Sequence, residues 1–204
     1  MAIDRFLLSR LSGVSFSKSI GTGTGDKFTP SDADPEVWGL IAVTSDLSQL
    51  ESSRLIRSWQ KISTSQMKLL LEPISSHGSW AGKEPFVVKA ETKTDGRIVA
   101  ITRARIKWNL NFLFWRSVPP VTQSLRSQPG LIKAIGIGEA PIGLQGTLSI
   151  WEDGASLRAF AYKGAAHAAV IDATKKHQWY SEELFARFSL LEMSGTIEKA
   201  DTAE

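Results

Sequence analysis

The apolar positions of the chain change period several times, and each change marks an element. Ile3, Phe6, Leu7 and Arg10 recur at helical spacing, so residues 2–11 read as a short amphipathic helix that Gly13 stops. Val14–Ile20 then alternates through Val14, Phe16, Lys18 and Ile20, the period of a strand with one buried face. Glu36–Thr44 is continuously apolar enough for a buried strand. Ser45 or Asp46 caps a helix expected to run to Trp59, with Leu47, Leu50, Leu55, Ile56 and Trp59 as its apolar set. Gln66–Ile74 reads as a strand, and Ser75–Trp80 with Gly82–Pro85 as loop. The polar, turn-rich Lys89–Arg97 reads as the connection between two halves.

The second half opens with a strand at Ile98–Ile106. Trp108–Arg126 follows as a long helix that Pro119 and Pro120 must break or kink. Strands are expected at Leu131–Gly138 and Gly146–Trp151, helices over 153–177, and a closing strand at Leu184–Met193. The last ten residues are polar and expected to fray. A short internal repeat orders these elements. Lys18-Ser-Ile-Gly-Thr-Gly23 matches Lys133-Ala-Ile-Gly-Ile-Gly138, and Asp46-x-x-x-Leu50 matches Asp153-x-x-x-Leu157. The second half reads β-α-β-β-α-β, a ferredoxin-like unit, and the first reads α-β-β-α-β. The expected class is α+β: two tandem ferredoxin-like units, residues 1–88 and 97–194, forming a dimeric-type α/β barrel. The first unit lacks its first strand, and 195–204 is expected to be a disordered tail.

Composition narrows the chemistry. With no cysteine there is no disulfide, no thiolate metal site and no thiolate-ligated haem, leaving histidine, carboxylate or tyrosine as metal ligands. A net charge of +3 without a clustered basic stripe argues against nucleic acid as a partner. Asp4 and Arg10 interrupt the apolar N-terminus, so it does not read as a signal peptide, and Asn111–Trp115 is too short to span a bilayer. The expectation is a cytoplasmic chain, with peripheral membrane contact left open. Gly21-Thr-Gly-Thr-Gly25 lacks the Lys-Ser/Thr of a phosphate loop and reads as a turn or bulge. Neither a Ser-His-Asp spacing nor H-E-x-x-H nor a paired-carboxylate motif stands out, so hydrolase chemistry is disfavoured. His167 sits in Gly164-Ala-Ala-His-Ala-Ala-Val-Ile171, where small neighbours would let a large flat object lie close to its helix.

Several segments together resemble one family. Phe114-Trp-Arg-Ser-Val-Pro-Pro120, Gly136-Ile-Gly-Glu-Ala-Pro141, Thr147-x-Ser-Ile-Trp151, His167 and Trp179-Tyr-x-Glu-Glu-Leu-Phe-Ala-Arg-Phe188 carry the likeness in the second half. Gly21–Gly25 and Ser75-Ser-His-Gly-Ser-Trp-x-Gly82 carry it in the first. In this order and spacing, across residues 14–197, they resemble the spheroidene monooxygenase family of carotenoid biosynthesis. The resemblance implies a haem-dependent oxygenase that places a hydroxyl or keto group on an acyclic carotenoid end. It implies haem b, dioxygen, a ferredoxin-type electron donor and a carotenoid-like apolar substrate, with a homodimer left open. It also implies a strand and most of a helix ahead of the first residue here. Two alternatives stay open: a barrel that binds haem or a small apolar ligand without catalysis, and a haem enzyme of related fold with aldoxime-dehydratase-like or peroxide chemistry.

Under this resemblance His167 is the candidate iron ligand; otherwise it is a packed helix histidine bonded to backbone. His77 is a loop-ordering hydrogen-bonder or a distal catalytic group, and His177, after Lys175-Lys176, is a helix-end histidine. Arg103 and Arg105 share one sheet face by parity. If that face lines the barrel, Arg103 is the catalytic polar helper and Arg105 a propionate partner; if not, both are surface charges. Arg116 is a second propionate candidate or a solvated helix charge. Glu182, Glu183 and Arg187 read as surface ion pairs. Trp108, Phe112 and Trp115, spaced i, i+4 and i+7, are core residues or the lining for a long polyene.

Overall fold

The structure is a computed structural model that describes residues 8, 11–26, 28–90, 92, 95–140, 142–163 and 178–196. Its elements in chain order are β1 (Val14–Gly23), β2 (Ala33–Thr44), α1 (Leu47–Glu51), α2 (Arg54–Ile62), β3 (Met67–Gly78), β4 (Ile98–Ile106), α3 (Asn111–Ser117), α4 (Pro119–Arg126), β5 (Leu131–Gly138), β6 (Leu144–Trp151), α5 (Gly154–Lys163) and β7 (Tyr180–Gly195). All seven strands join one antiparallel sheet in the order β2-β1-β5-β6-β4-β7-β3. The fold is α+β, built on a curled sheet with few helices.

Strand parity separates two cores. Phe16 and Ile20 of β1, Val99 and Ile101 of β4, Ile135 and Ile137 of β5, Ile150 of β6 and Leu184, Ala186 and Phe188 of β7 share the inner cluster. The edge strands feed the same cluster, through Ile41 and Val43 of β2 and Met67, Leu69 and Leu71 of β3. A sheet whose two edges pack onto one cluster must curl around it. The connection between halves completes the filling. Trp80 and Phe86 enter from 79–97, and the rings of Phe16–Trp80, Phe16–Phe86 and Phe86–Phe188 meet at 5.6, 6.2 and 4.9 Å. The outer face is covered in two places. Leu125 of α4 with Leu157 and Phe160 of α5 cover Ile98, Ala100 and Trp151. Leu50 of α1 and Leu55, Ile56 and Trp59 of α2 cover Leu40 and Ala42 together with Leu8.

Three boundaries differ from expectation. The helix expected from Asp46 to Trp59 is two. Asp46 caps the first through Gln49 N at 2.9 Å, and the Ser53 hydroxyl accepts from Ile56 N at 3.3 Å, which starts a second. The long helix at 108–126 begins as a 3-10 turn at Trp108–Leu110 and ends at Ser117, because Pro119 and Pro120 offer no N–H to the preceding turn. The expected loop Ser75–Gly78 is strand: after a bulge at Pro73 it pairs with Leu184–Arg187 of β7, so His77 sits on β3. Of the N-terminal helix and the helices at 153–177, residues 1–7, 9–10 and 164–177 lie outside the described residues, as do 197–204 of the expected tail.

The two repeat segments lie side by side. Gly21, Thr22 and Gly23 of β1 pair with Gly138, Ile137 and Gly136 of β5. Packing along the seam is uneven: a Cβ on Gly136 would sit 2.8 Å from Gly25 Cα, whereas one on Gly21 would meet nothing nearer than 3.8 Å. Gly136→Ala is therefore expected to cost about 1–3 kcal/mol, and Gly21→Ala within about 0.5 kcal/mol of zero, in paired denaturant melts.

Candidate functional site

On β4 the parity that turns Val99 and Ile101 inward also turns Arg103 inward, where it is 3% exposed. A guanidinium so placed needs carboxylates, because desolvating an unpaired charge costs several kcal/mol or more. The turn after β5 and the start of β7 supply them. Glu139 Oε1 accepts from Arg103 Nε at 3.1 Å and Nη2 at 2.8 Å, and Glu182 Oε2 accepts from Nη1. The cluster extends outward from these pairs. Lys18 Nζ lies 2.8 Å from Glu139 Oε2, and Trp80 Nε1 donates to Glu139 Oε1 at 2.8 Å. Glu182 Oε1 accepts from Ser79 Oγ at 3.0 Å and Gly82 N at 2.7 Å. The Arg103 guanidinium also stands 5.6 Å from the Trp80 ring centre.

The electrostatics make this a lock on the 79–82 segment. Burial works against the Glu182 carboxylate, but the Gly82 N–H, Arg103, the Ala81 N–H and Ser79 more than offset it and hold its pKa down to about 2. Burial likewise opposes Glu139, and Lys18 with Arg103 brings its pKa below the usual carboxylate value. With Trp80 pinned, the segment can deliver Phe86 into the inner cluster. Glu182, expected at the surface, is thus an internal partner of Arg103. Glu139, Lys18 and Trp80 were missed by sequence reasoning. The signal that points to them is parity: an arginine on the Val99–Ile101 face must find acids at the strand ends. Arg105, on the same face nearer the rim, is about half exposed and lies 3.6 Å from Glu182.

His77 lies on the opposite face of the sheet. It pairs in register with Phe185, which pairs with Thr102, so the three form one outer row across β3, β7 and β4. Among the described residues this row is uncovered: His77 and Thr102 are exposed and Phe185 is 44% exposed, although β4 and β7 are interior strands. His77 and Arg103 therefore do not meet. His167 and His177 lie outside the described residues.

The 3-10 turn and α3 hold the remaining candidates. Trp108 and Phe112 are exposed, and Arg116 lies over the Phe112 ring at 5.9 Å. Trp115 is half-buried, and among the described residues its indole Nε1 is buried without a hydrogen-bond partner, as is Asn111 Oδ1. Phe114 anchors the helix by packing edge-on to Trp179 and Tyr180.

A haem can be tested against these surroundings. The inner face does not fit one, because Phe16, Trp80, Phe86 and Phe188 occupy it. The α3 side offers flat apolar rings, the orphan Trp115 N–H that could reach an acceptor, and the rim cations Arg105 and Arg116, which suit a macrocycle with carboxylate arms. Of the three histidines only His77 is among the described residues, and it lies on the outer row, away from these rings.

No family model matches the sequence. Three curated proteins do, each named spheroidene monooxygenase. That of Rhodobacter capsulatus is 35% identical over 96% of this chain and 83% of its own length. That of Cereibacter sphaeroides is 34% identical over 98% of this chain and 62% of its own length. That of Rubrivivax gelatinosus is 30% identical over 90% and 71%. Solved structures align loosely; one from Fusobacterium nucleatum covers 96% of this chain and 85% of its own at 9% identity and a TM-score of 0.47.

Removing the buried cation tests the lock. Arg103→Met should destabilise the protein by about 3 kcal/mol at neutral pH, because two part-buried carboxylates lose the guanidinium between them. The Glu182 pKa is lowered on folding, so its contribution is complete above the unfolded value near 4.5 and is lost as pH falls toward about 2. Glu182→Gln should flatten the stability profile in that window, measured by urea melts at stepped pH.

Proposed function

The chain belongs to the spheroidene monooxygenase family, and from that premise we propose that it is a haem-dependent monooxygenase acting on an acyclic, carotenoid-like polyene. The observation that carries the reading is the similarity, over nearly the whole chain, to proteins of that name. The product is a hydroxylated or keto-bearing end group, and the electrons come from a ferredoxin-type donor. When bound, haem b would supply an iron at which dioxygen is reduced.

The chain's own residues divide the remaining work. His167, with small residues on either side, would ligate the iron. Arg105 and Arg116 would pair with the propionates; both are exposed enough to reach them and neither is buried in another role. Trp115, with Trp108 and Phe112 beside it, would give a polyene a flat apolar wall with few hydrogen-bonding groups. Arg103 would act as a positioning residue, since its Nε, Nη1 and Nη2 are committed to Glu139 and Glu182 and through them to the Trp80 segment.

The architecture we infer is two ferredoxin-like units, residues 1–88 and 97–194. Two features support this. The strands β4, β5, β6 and β7 lie in the order β5-β6-β4-β7, that of a single β-α-β-β-α-β unit, and β2-β1 mirrors β5-β6 across the Gly-rich seam.

Spectroscopy tests the cofactor assignment. Protein expressed with haem available should show a Soret band that His167→Ala abolishes and that His77→Ala and His177→Ala retain. Turnover of an acyclic carotenoid with dioxygen and reduced ferredoxin should follow the same pattern for His167→Ala. A Soret band without turnover in the wild type would favour a carrier.

A further inference from the structure

A helix on the surface of a globular protein turns its apolar side inward and shows water a polar one. The segment Lys107–Ser117 does not. Its inner side is fixed: Asn111 is 5% exposed with Nδ2 donating to Trp108 O at 2.9 Å, and Phe114 packs on Trp179 and Tyr180. Its outer side shows Trp108 at 76%, Phe112 at 69% and Leu113 at 37% exposure. Trp108, in the 3-10 turn, and Phe112, in the first turn of α3, are both left in water. Large rings left in water beside a well-anchored backbone mark a surface that something apolar covers.

Charge selects the occupant. From Arg97 to Gly138 the chain carries seven Lys or Arg and no Asp or Glu. Of these, Arg103 is consumed inside by Glu139 and Glu182, and Arg126 pairs with Asp26 at 2.8 Å. Lys107 and Arg116 bracket the exposed rings and are themselves exposed, as is the nearby rim residue Arg105. An aromatic and leucine patch ringed by cations matches the boundary of an anionic bilayer, where indoles sit at headgroup depth and Lys or Arg meet phosphate. A second copy of the chain would bring like charges together at the same place. Among the described residues no helix is long and apolar enough to cross a membrane, so the contact is with one surface.

We propose that the Trp108–Arg116 segment docks the protein on anionic lipid, with Trp108, Phe112 and Leu113 entering the interface and Lys107 and Arg116 on headgroups. This does not depend on haem or on oxygenase activity. An apolar polyene dissolved in the same bilayer would be delivered beside Trp115.

Sedimentation with vesicles tests it, using the full chain. Wild-type protein should pellet with vesicles of phosphatidylcholine containing about 30% phosphatidylglycerol, and much less with phosphatidylcholine alone. Trp108→Ala with Phe112→Ala should weaken binding by about tenfold or more, and Lys107→Gln with Arg116→Gln by about 20- to 30-fold at low salt. Ile62→Ser, which removes an exposed side chain at the end of α2, should bind as wild type does. Unchanged circular dichroism and thermal midpoints show that the variants remain folded. The proposal is overturned if wild-type protein stays in the supernatant, or if the aromatic variant binds equally. Equal binding to neutral lipid would also overturn it, as would self-association without vesicles that the aromatic substitutions abolish. Vesicle binding is read by sedimentation alone and the Soret band on wild-type protein, so a failure here leaves the oxygenase reading standing.

Discussion

The fold turns on the cost of placing a guanidinium inside a curled sheet. Arg103 shares a face with Val99 and Ile101, and only carboxylates at the strand ends can make that position tolerable. Glu139 and Glu182 meet it from the turn after β5 and from the start of β7. Because Glu182 also binds Ser79 and Gly82, and Glu139 binds the Trp80 indole, the same pairs fasten the connection between halves over the inner cluster. The filled interior follows from that anchorage: Trp80 and Phe86 stand where a barrel could otherwise hold a ligand.

With the inside filled, the uncovered surfaces lie on the outside and at the rim. Among the described residues, two uncovered regions lie near the end of the sheet at which Arg103 sits. One is the row His77–Phe185–Thr102 on the outer face, and the other is the ring-bearing face of α3 with its orphan Trp115 N–H. A helix anchored by Phe114 and Asn111 can present large apolar rings to water without losing its own place. That separation of anchor from exposed face is what leaves Trp108 and Phe112 in water.

Much of the strand pattern was legible along the chain. Alternation in β1 and β4, the glycine stops and the Asp46 cap each depend on neighbours within a few residues, so local sequence specifies them. The two Lys-x-Ile-Gly-x-Gly segments visible along the chain lie paired at Gly21–Gly23 and Gly136–Gly138. His77 was misplaced because Ser75-Ser-His-Gly has turn composition, and only pairing with β7 draws it into a strand. Glu182 was misread for a similar reason: next to Glu183 and near Arg187 it suggests surface pairing, and its true partner is 79 residues away.

The sequence by itself determined most of the strand pattern, that Arg103 and Arg105 share a face, and which family the motifs resemble, since periodicity, capping and motif order are all properties of neighbours in the chain. Tertiary structure alone decided that Arg103 is locked to two carboxylates and that His77 lies on the other side of the sheet from it. It also decided that Trp108 and Phe112 face outward while Trp80 and Phe86 fill the interior. Those outcomes depend on which strands pair and on which face each segment covers, and long-range pairing is set by the summed burial of the whole sheet.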